Sequence, residues 1–189
     1  VPGAGLTADI VIARGAQLLE AHPTDELTLA SLATSLGVRV PSLYKHIDGL
    51  PGLRRGIMLR VKVNLSAALV EACVGRARDD AVRSLAAAYR TWARQHPAQY
   101  PMTVRAPGPD DVEDQQASDA SLQVVYRVLA GYHLLGDDAI DATRFLRAVI
   151  HGFVSLETAG AFTLAADLER SYDKTVTSVV TALENWKHQ

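Results

Sequence analysis

The segment Leu27 to Ile47, LTLASLATSLGVRVPSLYKHI, constrains the fold of this chain more than any other. Leu29, Leu32, Ala33 and Leu36 recur at i, i+3, i+4 and i+7, one face of a helix. Thr28 stands just ahead of them, where a hydroxyl can accept from the free N–H groups of a first turn. Gly37 follows Leu36 directly, and a helix that stops and turns sharply calls for a residue able to take positive φ. Val38 then points back to the core. Pro41 suits the first turn of a second helix, because the N–H it lacks would find no partner there. That second helix is predicted over 40–47, with Leu43 and Ile47 on its buried side.

Two short helices joined by a tight turn form a helix-turn-helix. Its second helix leaves Ser42, Tyr44, Lys45 and His46 on or near the outer side, and these side chains can bond phosphates and base edges. Arg39, Val40, Pro41 and Ser42 open that helix, where base contacts are usual for the motif. Thr28 combines capping with a place at a helix N-terminus, which favours anions.

The rest of the chain reads as helical. Helices are predicted over 6–21, 28–36, 40–47, 51–74, 79–96, 98–104, 111–134, 138–161 and 167–187, with no convincing strand. Pro51 opens the fourth of these, Asp79 or Asp80 caps the fifth, and His96-Pro97 breaks the fifth from the sixth. RAPGPDD, 105–111, is the clearest loop. Gly136-Asp137-Asp138 ends one helix and caps the next.

Thr28, Leu32, Ala33, Leu36, Gly37, Val38, Leu43, Tyr44 and His46 follow the pattern T-x-x-x-LA-x-x-LGV-x-x-x-x-LY-x-H, and through them the chain resembles the TetR family of regulators. Trp92, His96-Pro97 and the run from His151 to Glu157 resemble the WHG type of TetR C-terminal domain, over roughly residues 80–185. The resemblance implies an all-α fold. Residues 1–50 would be a three-helix DNA-binding domain, joined through a long helix to a ligand-binding and dimerisation domain over 51–189. The implied DNA-binding residues are Thr28, Arg39, Val40, Pro41, Ser42, Tyr44, Lys45 and His46. Two departures stand out. Leu50 occupies a place where many members carry a phosphate-gripping Lys, and Ala30 one where many carry a basic or polar residue. Arg39, Lys45, Arg54 and Arg55 are the cations available to compensate.

The resemblance further implies a homodimer on a near-palindromic operator, built on the last two long helices. The candidate dimer residues are Ile150, Gly152, Leu156 and Gly160 on the first, and Tyr172, Val176, Val179 and Leu183 on the second. Packing of this stripe within one chain is the alternative. A small, mostly apolar ligand is expected between helices walled by Tyr89, Trp92, His96, Tyr100 and Met102, with Tyr126, Leu129, His133 and Phe153. Taken singly, each of these reads first as a core residue.

Composition narrows the alternatives. The net charge is −2, so overall basicity does not argue for nucleic acid, and residues 1–60 hold six Lys/Arg against five Asp/Glu. The lone Cys73 excludes an internal disulfide or a cysteine zinc cluster and fits a reducing cytoplasm. No apolar run is long enough to span a membrane, and no signal peptide is visible. The start VPGAG, without Met, reads as trimmed.

The six histidines show no HExxH, and no GxSxG, P-loop or CxxC occurs. GAGLTA at 3–8 mimics a dinucleotide fingerprint, but no strand precedes it. His151 and Glu157 lie six apart and do not share a helix face. No catalytic residue, metal or cofactor is therefore expected. Two rivals to a ligand-released repressor stay open. One is an activator or nucleoid-type binder without a ligand. The other is a ligand-binding or scaffold helical protein whose helix-turn-helix is degenerate, for which Leu50 and Ala30 speak.

Overall fold

The computed structural model describes residues 5–22 and 26–186, and the reading of residues 1–4 as a trimmed start lies outside them. Among the described residues there are eight α-helices, one 3-10 helix and no strand. They are α1 (Ala8–Ala21), α2 (Leu29–Leu36), α3 (Val40–Leu43), α4 (Gly49–Cys73), α5 (Arg78–Gln95), the 3-10 turn Tyr100–Val104, α6 (Val112–Ala130), α7 (Asp137–Thr158) and α8 (Leu168–Glu184). No helix among the described residues is long and apolar enough to cross a membrane.

Helix α4 is the spine. Its 25 residues extend about 37 Å at 1.5 Å per residue. Leu53, Ile57, Val61, Leu65 and Leu69, four apart, are all buried along it. The N-terminal half packs on α1. The approach is close because both helices carry a glycine at the crossing. A Cβ on Gly15 would lie 2.9 Å from Leu53 Cδ1, and one on Gly56 would lie 2.5 Å and 2.8 Å from Ile12 Cδ1 and Cγ1. The C-terminal half packs on α5 and α6, and α7 and α8 cover α5 from outside. The buried residues form one continuous cluster from Val11 in α1 to Leu183 in α8.

Several predicted boundaries need correction. Helix α1 begins at Ala8 rather than residue 6, because Thr7 caps it by accepting from the Ile10 N–H. The helix predicted over 40–47 keeps α-geometry only for Val40–Leu43 and then tightens into turns, with His46 N–H bonding Leu43 O at 2.9 Å. So short a segment gains few i→i−4 bonds to offset the cost of nucleation, and i→i−3 bonds take their place. Helix α4 starts at Gly49, two residues ahead of Pro51.

Ala77, not Asp79 or Asp80, caps α5, and it does so without a side-chain bond; the two aspartates sit in its first turn. The sixth predicted helix, 98–104, is a 3-10 turn from Tyr100. Helix α6 ends at Ala130 instead of 134, in turns that pass through His133 at φ 60°. A histidine at positive φ gives no glycine cue to read. Helix α7 runs from Asp137 to Thr158 and stops short of 161. The Gly160 N–H bonds Glu157 O and the Ala161 N–H bonds Leu156 O, a left-handed closure of the last turn. Helix α8 ends at Glu184, and residue 187 lies outside the described residues.

The α1–α4 crossing generates a test. Gly56→Ala overpacks it against Ile12 and lowers stability by about 1–3 kcal/mol, read from the urea midpoint. Adding Ile12→Val removes the clashing methyl and recovers part of the loss.

Candidate functional site

The helix-turn-helix is held from within. The Thr28 hydroxyl accepts from the Ser31 N–H at 3.1 Å, and the Ser31 hydroxyl accepts from the Thr28 N–H at 3.2 Å. This reciprocal box satisfies two otherwise free donors; the sequence reading had the cap but missed Ser31. Gly37 closes α2 at φ 67°, ψ 28°. Leu32 and Leu43 are fully buried between α2 and α3, and Ile47 nearly so.

The eight residues expected on the outer side of this element divide evenly by exposure. Arg39, Pro41, Tyr44 and Lys45 are exposed, with Tyr44 at 59%, while Thr28, Val40, Ser42 and His46 are half-buried. The Tyr44 ring rests against Gly49, where an added Cβ would lie 3.8 Å from Cε1. Leu50 turns toward the core and packs on it, so an apolar residue at this place contributes to stability. Ala30 is exposed.

Of the four cations available to compensate, Arg55 is already engaged elsewhere. It grips Asp111 with two bonds, of 3.2 and 2.6 Å, and meets Glu113 at 2.8 Å. These bonds hold the Asp111 carboxyl below its ordinary range and tie α4 to the start of α6. Arg39, Lys45 and Arg54 are exposed and form no ion pair among the described residues.

A second site lies about halfway along α4. A cavity of about 280 Å³ opens between α4, α5, α6, α7 and the segment after the 3-10 turn. Leu65, Leu69, Leu85, Leu122, Leu146 and Ile150 supply apolar wall. Its polar end is Lys62, which is 4% exposed. The Lys62 ammonium donates to Asp114, to Ser118 Oγ at 3.0 Å and to the Arg105 carbonyl at 2.9 Å, so its three N–H groups are all engaged. Asp114 is fully buried, and its Oδ2 has no hydrogen-bond partner.

On the α7 side, Thr143, Leu146, Arg147, Ile150 and His151 line one helical face. His151 Nδ1 meets the Tyr100 hydroxyl at 2.6 Å and the Tyr89 hydroxyl at 3.0 Å. Burial raises both phenols above their ordinary values. Burial first, and then the Arg147 charge, pushes the imidazole down, so the ring is neutral at pH 7. We assign the Tyr100 hydroxyl, at the shorter distance, as the donor to Nδ1, which puts the ring proton on Nε2.

Only Tyr89 of the expected ligand wall lines this cavity. Tyr100 stands behind it and fixes His151. Trp92 is buried and stacks with the half-exposed His96 at 4.8 Å. Leu129 is buried in the core, and Met102 and Tyr126 are half-buried away from the lining. His133 is exposed in a turn, and Phe153 packs on Phe162 and Tyr172. Sequence reasoning missed Lys62 and Arg147. Lys62 sits four residues after Met58 and three before Leu65 on an apolar stripe, and a lysine breaking such a stripe is a readable signal.

The dimer candidates also divide. Ile150, Tyr172, Val176, Val179 and Leu183 are buried within the single chain. Gly160 lies past the end of α7. Gly152 and the 48% exposed Leu156 remain on the outer face of α7. Glu157 points inward, to a buried Arg90 that it grips with two 2.7 Å bonds; Arg90 also holds Glu169 and lies over the Tyr172 ring. His151 and Glu157 thus serve different partners.

Comparison with known proteins adds independent findings. Residues 82–179 match the model of the Tetracyclin repressor-like, C-terminal domain. The chain is similar to an uncharacterised HTH-type transcriptional regulator of Mycobacterium tuberculosis, Rv0681, at 39% identity over 83% of this chain and 72% of that protein. Its fold is similar to that of a Rhodococcus protein of unknown function, with a TM-score of 0.77, 24% identity, and 97% and 96% of the two chains covered. It is also similar to the Streptomyces coelicolor TetR family protein ActR in complex with (S)-DNPA, with a TM-score of 0.68, 17% identity, and 96% and 98% covered.

The Lys62–Asp114 pair generates a test. Lys62→Met leaves a buried carboxylate without its partner and costs about 3–5 kcal/mol, measured by urea unfolding. Lys62→Met with Asp114→Leu removes both charges and regains most of that loss.

Proposed function

The chain belongs to the TetR family of helix-turn-helix transcriptional regulators, and from that premise we propose that it is a homodimeric repressor released from a near-palindromic operator by a small molecule. The observation that carries this reading is the capped helix-turn-helix that leaves Arg39, Pro41, Tyr44 and Lys45 exposed, with the unpaired cations Arg39, Lys45 and Arg54 near one another in sequence. Tyr44, Lys45 and Thr28 take phosphates, while Arg39, Val40 and Ser42 face base edges, with Pro41 and His46 completing the contact surface. Residues 1–50 serve as the DNA-reading unit and 51–189 as the unit that dimerises and holds the ligand.

The second copy packs on the outer faces of α7 and α8, through Ala148, Gly152 and Leu156 on α7 and Thr175, Ser178 and Ala182 on α8. All six are exposed or half-buried. A Cβ on Gly152 would meet nothing within 4 Å in the single chain. Two recognition segments would then enter the major groove roughly 34–36 Å apart, or a simple multiple of that.

Release follows from α4. Lys62, Leu65 and Leu69 line the cavity, and the same helix begins at Gly49, directly after the recognition turns. An occupant that favours a different tilt of α4 shifts the population away from the DNA-competent spacing. A coupling of about 1–3 kcal/mol changes operator affinity roughly 5- to 150-fold. That ActR was solved in complex with (S)-DNPA supports a ligand reading.

Fluorescence anisotropy on duplexes from the protein's own upstream region tests the DNA half. Selective binding that weakens with salt, and falls at least tenfold in the Tyr44→Ala/Lys45→Ala variant, is expected. Equal binding to every duplex, there and in a selection from random duplexes, would remove the reading. Gly152→Arg tests the dimer. The variant stays folded by circular dichroism but elutes as a monomer in light-scattering chromatography; an unchanged dimer mass places the interface elsewhere.

A further inference from the structure

We propose that the cavity against α4 takes an organic monoanion with an apolar body, whose carboxylate or equivalent head is held by Arg147 and His151. This inference rests on the ligand reading above and names the chemical class of the occupant.

The charge inventory of the lining carries the argument. Lys62, Arg105 and Arg147 line the cavity, and no Asp or Glu does. Lys62 is neutralised by Asp114 and has no N–H left to offer. The Arg105 guanidinium rests at 3.9 Å from Met58 Sδ and lies close enough to Asp111 to lower that carboxyl further. Arg147 forms no hydrogen bond or ion pair among the described residues. Arg147 thus faces the cavity with no carboxylate on it.

The neighbouring polar groups point the same way. With the Tyr100 hydroxyl assigned as donor to Nδ1, the His151 Nε2–H is left to donate, and Nε2 has no partner among the described residues. Arg147 precedes it by four residues on the same face of α7. A guanidinium fork and an imidazole N–H converge on an acceptor-rich, anionic head far better than on an amine, which would meet repulsion and no acceptor but hydroxyls and carbonyls. Leucine and isoleucine make up much of the remaining wall, so the body of the ligand is apolar. A volume of about 280 Å³ lies at the lower end of the usual range for small-molecule sites, which suits a compact molecule.

The test uses matched probes on the full-length protein. 4-Phenylbutanoate, 2-naphthoate and decanoate are each compared with their primary amide and amine by isothermal titration calorimetry. At least one acid should bind about tenfold or more tightly than its amide, with its amine weakest. Arg147→Gln should bring acid and amide within about threefold, leaving the amide affinity unchanged. Leu122→Trp, which fills the cavity, should remove both, with folding checked by circular dichroism. No acid outbinding its amide, or a preference that survives Arg147→Gln, would overturn the proposal.

Operator anisotropy on the same samples separates this inference from the release reading. An acid bound through Arg147 that leaves DNA binding unchanged upholds the ligand class and retires ligand-driven release. An amide or amine that releases DNA where the acids do not upholds release and overturns the class.

Discussion

The architecture depends on burying one long helix from two ends at once. Toward its N-terminus, α4 meets α1 across Gly15 and Gly56, where the absence of two methyl groups lets the backbones come close. Further along, the same helix is held to α6 by Lys62 on Asp114 and by Arg55 on Asp111 and Glu113. The first contact is steric and apolar. The second is ionic, partly buried, and directional. Under the proposed release, a helix gripped in these two ways would carry a displacement from one end to the other. The recognition turns sit at the first end, and the cavity lies on the α6 side beyond Lys62.

Local signals were legible where their cause was local. Thr28 capping, the left-handed Gly37 and the inward Leu43 and Ile47 all follow from spacing and backbone chemistry, and all stand in the structure as read. So does the all-helical architecture. The length of α3 was not legible, because Tyr44, Lys45 and His46 have ordinary helix propensities, and the tightening comes from the return of the chain into α4. The early end of α6 was hidden for a related reason, since it passes through a histidine in the left-handed region.

Aromatic residues were the markers of the expected ligand wall, and of the residues named for it only Tyr89 lines the cavity. Trp92, Phe153 and Leu129 pack into the core, and the cavity is made mostly of aliphatic side chains with a rim of cations. Which of several apolar faces closes on itself, and which leaves a gap, depends on how five helices meet. No single-helix periodicity contains that. The inward Tyr172, Val176, Val179 and Leu183 illustrate the same limit, for a stripe that reads equally well as core or as interface lies in the core here. Charged residues inside apolar stripes, Lys62 and Arg90, were the better pointers. A buried charge demands a partner, and each one marks a junction between helices.

The buried side chains form one cluster from α1 through α8. A core shared in this way couples the stability of the DNA-reading end to that of the far end. An occupant of the cavity at about 100 times its Kd therefore adds about 2.7 kcal/mol to the unfolding free energy of every part, the recognition turns included. In a cell, proteases sample the unfolded fraction continuously. An effector acting as proposed would then also lengthen the lifetime of the protein it inactivates, and once it is exhausted a larger stock of regulator would stand ready to restore control.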